Sequence, residues 1–185
     1  MMMKKLPAIG AALVLGLSCL GSIAARADVI YTYTGNDFTS AISPYTTSDS
    51  ITGYFVVATP LAANLSLGPI TPISFSFSDG VDTLTNANTT SQTFYVATSP
   101  SGSLSNWGIA VATAASTEGI EICNSAICTP SQFDNGWTDN EASSAVNRSD
   151  PGSWQSSVPE PPSMATLITG LLGLVLLFRR GRTCR

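Results

Sequence analysis

The residues able to do chemistry are few and narrow in kind. The chain has no His, and no Lys follows Lys5. The commonest general base, the commonest zinc ligand and Schiff-base chemistry are therefore missing. Carboxylates, hydroxyls, aromatic rings and thiols remain. Cys123 and Cys128 are spaced C-x4-C, whereas a redox site would use C-x-x-C and a zinc site would need further ligands. A disulfide is the reading that fits, provided the chain leaves the cytoplasm. By chain entropy so short a loop contributes about 2 kcal/mol. Glu118 and Glu121 bracket Gly119-Ile120. A glycosidase needs two carboxylates roughly 5 to 10 Å apart, but on a strand these two would face opposite sides. Asp134-Asn135-Gly136 with Asp139, Asn140 and Glu141 gathers oxygens of the kind calcium takes. The spacing fits no EF-hand register, and a solvated acidic loop is the better reading. Trp107, Trp137 and Trp154 with Tyr31, Tyr33 and Tyr45 could stack on sugar rings, though aromatics on strands more often fill a core. Trp137 and Trp154 lie in polar stretches and are the better candidates for exposure. No catalytic residue, metal site or cofactor follows, and the chain reads as non-enzymatic.

The elements that must position these groups are short strands. Between Asp28 and Ser157 about 40 of about 130 residues are Ser or Thr, punctuated by Gly, Pro and Asn. Strand-like patches recur at 29–34, 51–57, 93–98, 107–113 and 120–122. Ile73-Ser74-Phe75-Ser76-Phe77-Ser78 alternates strictly, which predicts one apolar and one hydroxylic face. It runs into Asp79-Gly80, a favoured type I′ hairpin pair, and returns along 81–85. Outside the terminal segments no window has a helical apolar stripe. Six to nine short strands predict an all-β domain, an antiparallel β-sandwich or jelly-roll-like fold over 28–156. The stretch 134–156 has few apolar residues and reads as a wrap around the sheets or a linker.

Charge separates this middle from the ends. Residues 28–157 hold eleven acids against the single base Arg148, a net −10 that the whole-chain figure of −4 conceals. Such a domain repels nucleic acid and anionic lipid. At the N-terminus a basic start, Met1 to Lys5, precedes an apolar run from Leu6 to Ile23 and then Ala25-Arg26-Ala27. This is the order of a secretory signal helix over 1–27, cut between Ala27 and Asp28. It implies the Sec export machinery and signal peptidase as partners.

At the C-terminus, over 157–185, Val158-Pro159-Glu160-Pro161-Pro162 precedes an uncharged run from Met164 to Phe178 and then Arg179, Arg180 and Arg182. Prolines hold the motif extended. The run is a short transmembrane helix of about 22 Å, and the arginines stop it at the cytoplasmic side. This ending resembles the PEP-CTERM sorting signal of exosortase substrates in Gram-negative bacteria. The likeness covers the last 28 or so residues. It implies a precursor held transiently in the inner membrane by 164–178, then cut near Pro159-Glu160-Pro161 by an exosortase-like enzyme. It also implies delivery to the cell surface or beyond, where exopolysaccharide is a natural partner. Two functions compete: a cell-surface or matrix structural protein, and a carbohydrate-binding module or, less so, a hydrolase acting on exported polysaccharide. A hydroxylic face over a buried aromatic core favours the first, and an exposed row of aromatics favours the second.

Overall fold

The computed structural model describes residues 28–158 apart from Asn140. These residues form one compact unit built entirely of β-structure, with a single 3-10 turn at Ala114–Ser116. The signal helix and cleavage position Ala27, the motif residues Pro159, Glu160 and Pro161, the span 164–178 and the three arginines lie outside the described residues. Asp28 and Val158 lie at its two ends, both exposed.

Twelve strands are described, more than the six to nine expected, because several are only two or three residues long. One sheet has five strands in the order β12 (Ser153–Ser157), β1 (Val29–Thr34), β3 (Thr52–Val57), β5 (Ser74–Ser78) and β6 (Thr83–Thr85). The other has seven, in the order β2 (Ser40–Ala41), β11 (Ser143–Arg148), β10 (Gln132–Thr138), β9 (Gly119–Asn124), β8 (Leu104–Ala112), β7 (Ser91–Thr98) and β4 (Gly68–Pro69). All pairings are antiparallel. The two sheets pack face to face as a sandwich. Strands β7 to β11 are joined as a simple meander, and the first long strand pairs with the last.

The alternation read at 73–78 explains the inner face of the smaller sheet. Phe75 and Phe77 are buried and Ser74, Ser76 and Ser78 point away. Across the sheet, Trp154, Tyr33, Gly53, Phe77 and Leu84 lie in one inward register, with Tyr31, Phe55 and Phe75 in the next. Opposite them stand Phe94, Val96, Trp107, Ile109, Val111, Ile120 and Ile122. Tyr31 stacks on Phe55 at 5.0 Å, and Phe94 meets Phe55 edge-on at 5.9 Å. Burying each large side chain contributes roughly 1.5–3 kcal/mol, so these rings dominate the cohesion of the domain.

Two expectations fail. The stretch 134–156 is neither wrap nor linker, since it supplies β10, β11 and β12. Its inward positions on β10 and β11 carry Asp134, Gly136, Ala145 and Asn147 in place of large apolar residues, which hides the alternation. The Asp79-Gly80 turn is not a two-residue hairpin either. Ser78 pairs with Thr83, leaving four residues in the loop. Of the two central residues only Gly80 has positive φ, at 93°, whereas a type I′ turn needs both. Asp79 instead turns its carboxyl inward and accepts the N–H groups of Val81 and Asp82 at 3.0 and 2.8 Å.

Gly53 shows how tightly this core is fitted. It sits between Tyr33 and Phe77, in the gap over which the Trp154 and Phe77 rings meet at 6.4 Å. A Cβ there would lie 2.5 Å from the Phe77 ring and 2.4 Å from the Ser76 carbonyl. Gly53→Ala should therefore cost about 1–3 kcal/mol in urea unfolding, against the usual gain when alanine replaces a strand glycine. An unchanged or raised midpoint would contradict this packing.

Candidate functional site

Two places bring polar groups together: the interior beside β10, and the outer face of the seven-stranded sheet. Inside, Asp134 is fully buried and its two oxygens accept from the Tyr33 hydroxyl at 2.7 and 2.8 Å. Tyr33 is on the five-stranded sheet and Asp134 on the other, so the bond joins the layers. The same hydroxyl accepts from Gly152 N–H at 2.7 Å. Two residues along β10, Gly136 leaves room for a second buried carboxyl. A Cβ on Gly136 would lie 2.5 Å from Asp79 Oδ2, which accepts from the Tyr45 hydroxyl at 2.7 Å. Neither carboxyl has a cation beside it, because the only base of the domain, Arg148, faces outward.

Burial therefore governs both acids. It raises Asp134 to about 7, against the lowering effect of the Tyr33 and Gly152 hydrogen bonds. Burial also raises Asp79, despite the hydrogen bonds from its loop and from Tyr45. Both tyrosine hydroxyls are pushed up as well, first by burial and then by the carboxyls they face. The expected solvated acidic loop is thus divided. Asp139 and Glu141 lie exposed at the β10–β11 turn, while Asp134 is core. Asn140 lies outside the described residues. Among the described residues no group of three or more acids or thiols is placed to hold a metal.

The outer face is set by the strand register. Tyr95, Gly108, Cys123, Phe133 and Arg148 lie opposite one another across β7 to β11. Thr93, Ala110, Glu121, Asn135 and Val146 form the next register, followed by Ser91, Ala112, Gly119, Trp137 and Ser144. Small residues on β8 lower the middle of this face. Cys123 and Cys128 are joined, with 6.5 Å between their Cα atoms, and the bond folds the intervening loop back over the sheet. Ile127 and Cys128 come so close that a Cβ on Gly108 would lie 2.8 and 3.3 Å from them. The loop thereby walls a groove of about 510 Å³ lined by Thr93, Tyr95, Ala110, Glu121, Ile127 and Thr129, among others. A second depression of about 280 Å³ continues from Glu121 and Thr129 to Asn135, Val146 and Arg148. Burial alone raises the Glu121 carboxyl.

The other sequence candidates separate. Glu118 sits in the turn leading into β9, where its N–H donates to Thr113 Oγ1 at 3.0 Å. Glu121 points outward into a groove that Glu118 does not line. Trp154, expected to be exposed, is packed against Tyr33 at 4.9 Å and Phe55 at 5.2 Å. Trp137 is half-buried, lying over Gly119 with its Nε1 donating to the Ser116 carbonyl at 3.1 Å. Tyr31, Tyr33, Tyr45 and Trp107 are core. Tyr95 and Ile127 were not singled out by sequence, and Asn135 only as part of an acidic loop, because only the register and the disulfide bring them beside Glu121.

The interior carboxyls generate a pH dependence of defined sign. A carboxyl raised from its ordinary value near 4 to about 7 leaves the native state holding more protons than the unfolded one between those values. Its stabilisation is full below about pH 4 and is lost as pH rises through 7. Asp79 acts in the same direction. Urea unfolding should show the domain on the order of 2–4 kcal/mol more stable at pH 4.5 than at pH 8, and Asp134→Asn should flatten most of that difference. Stability that rises with pH in the wild type would contradict a buried, cation-free Asp134. In comparisons with known proteins, the chain matches no family model, no curated protein and no solved structure.

Proposed function

We propose that the protein is an exported structural component of the cell surface or extracellular matrix, sorted and trimmed through its PEP-CTERM-like ending. It acts by adhesion, hydration and charge rather than by catalysis. The observation that carries this reading is the outer face of the five-stranded sheet. Gln155, Thr32, Tyr54, Ser76 and Thr85 lie opposite one another there, beside the row Ser153, Thr34, Thr52, Ser78 and Thr83. Hydroxyl and amide groups dominate these two rows of an uncharged surface, on which Tyr54 is the one ring among the described residues, while most aromatic rings of the domain are turned inward. Such a face holds water and offers hydrogen bonds to a hydrated polymer without attracting ions.

Two further features support export. The Cys123–Cys128 disulfide is the mark of an oxidising compartment. The last described strand ends at Ser157, immediately before Val158-Pro159-Glu160-Pro161 in the sequence.

The test is fractionation in a host that carries an exosortase-like enzyme. Wild-type protein should leave the membrane without residues 164–185. Changing Pro159 and Pro161 to Ala should leave uncut chain in the membrane, since the apolar helix could then extend through the motif. Neutral residues at Arg179, Arg180 and Arg182 should instead misplace the precursor. Wild-type protein that stays full-length in the membrane would sink the sorting reading.

A further inference from the structure

The outer face of the seven-stranded sheet differs from the hydroxylic face in one respect that points to a ligand. Glu121, at the centre of the groove, is half-buried, and no hydrogen bond or neighbouring charge offsets the cost of that burial. A carboxylate in such a place is stabilised by any occupant that brings O–H or N–H donors. Asn135, directly opposite it on β10, adds an amide, and Thr93 and Thr129 add hydroxyls.

The walls ask for something else. Tyr95 is 37% exposed and Ile127 53%, and both line the same groove. An occupant must therefore present an apolar surface as well as a rim of donors. Sugar rings do both, with C–H faces for an aromatic or aliphatic wall and hydroxyls around the edge. Charge narrows the class further. A domain with a net −10 repels an anionic polymer, and a cation would be drawn to the acidic surface in general, with no need of these walls. Shape narrows it again. The two depressions share Glu121 and Thr129 in their linings and between them reach from β7 to β11, roughly 19 Å at the usual strand spacing. That length suits a stretch of chain better than a single small molecule.

We infer that this groove binds a strand of uncharged polysaccharide, with Tyr95 and Ile127 against the sugar C–H faces and Glu121 and Asn135 on its hydroxyls. The disulfide-closed loop is then the wall of the site as well as a staple. The inference rests on the matrix reading for its setting, and it names the matrix partner.

The experiment is affinity gel electrophoresis of the disulfide-bonded domain, residues 28–157, which encloses its own core. The gels contain galactomannan, mixed-linkage β-glucan or the neutral fraction of the host's extracellular polysaccharide, with alginate and chitosan as charged probes. At least one uncharged polymer should retard the wild type and alginate should not. Tyr95→Ala and Glu121→Ala should each weaken retardation about tenfold while keeping the wild-type melting curve. Tyr54→Ala on the opposite sheet should change nothing. If no uncharged polymer retards the domain, if only chitosan does, or if both groove variants migrate like wild type, the inference is wrong. Should one groove variant fail to fold, the other decides. Absent binding alongside normal tail trimming defeats the groove alone, whereas binding by the domain of a chain that remains full-length in the membrane defeats the sorting reading alone.

Discussion

A single buried hydroxyl–carboxyl contact, Tyr33 to Asp134, constrains much of the sandwich. It crosses from one sheet to the other with no cation to balance the acid. Leaving such a carboxyl unpartnered would cost several kcal/mol, so the surrounding chain is arranged to supply donors and room. Gly35 supplies room, since a Cβ there would lie 2.8 Å from Asp134 Oδ2. Gly152 supplies a backbone N–H to the Tyr33 hydroxyl at the entry to β12. That last contact registers the final strand against the first, which puts Trp154 into the aromatic core. The last described strand is thus anchored by the same polar network that joins the layers.

The two outer faces then take up different work. Alternation, strict on β5 and looser on β1 and β3, sends Tyr31, Tyr33, Phe55, Phe75 and Phe77 inward and leaves an uncharged outer face of mostly Thr and Ser, with Tyr54, Ile30 and Val56 among them. On the larger sheet the inner face is apolar along β7 to β9 and polar at Asp134 and Asn147 on β10 and β11, while its outer face is interrupted by small residues on β8 and by a loop tied down through Cys128. One face is suited to holding water and the other to holding a chain. Both roles fit the proposed surface or matrix setting, in which a strongly anionic domain is kept dispersed by self-repulsion.

Legibility followed the apolar pattern. β1 was readable to the residue, and β5 nearly so, because Tyr, Val and Phe alternate with Thr and Ser there. β10 was not, because its inward residues are Asp134 and Gly136, a buried acid and a gap filled by Asp79 from elsewhere in the chain. Trp154 misled for a related reason: it is a lone aromatic in Ser153-Trp154-Gln155-Ser156, and nothing local reveals that its inward neighbours are Tyr33 and Phe55. The disulfide was legible from the C-x4-C pair once the chain was read as exported. The groove was not, since Tyr95, Glu121 and Asn135 come from three strands and meet only through register. Glu121 did stand out in the sequence, but beside Glu118, which does not line the groove.

The central claim is that an exported, disulfide-closed domain is the finished product of this chain. Intact-mass measurement of the protein recovered from the extracellular matrix of its native host tests it most directly. The account predicts one species that begins at Asp28 or within a residue or two of it, ends near Pro159-Glu160-Pro161, and is two hydrogens lighter than its reduced form. A mass that includes residues 1–20 or 164–185, or one with both Cys123 and Cys128 free, would contradict it.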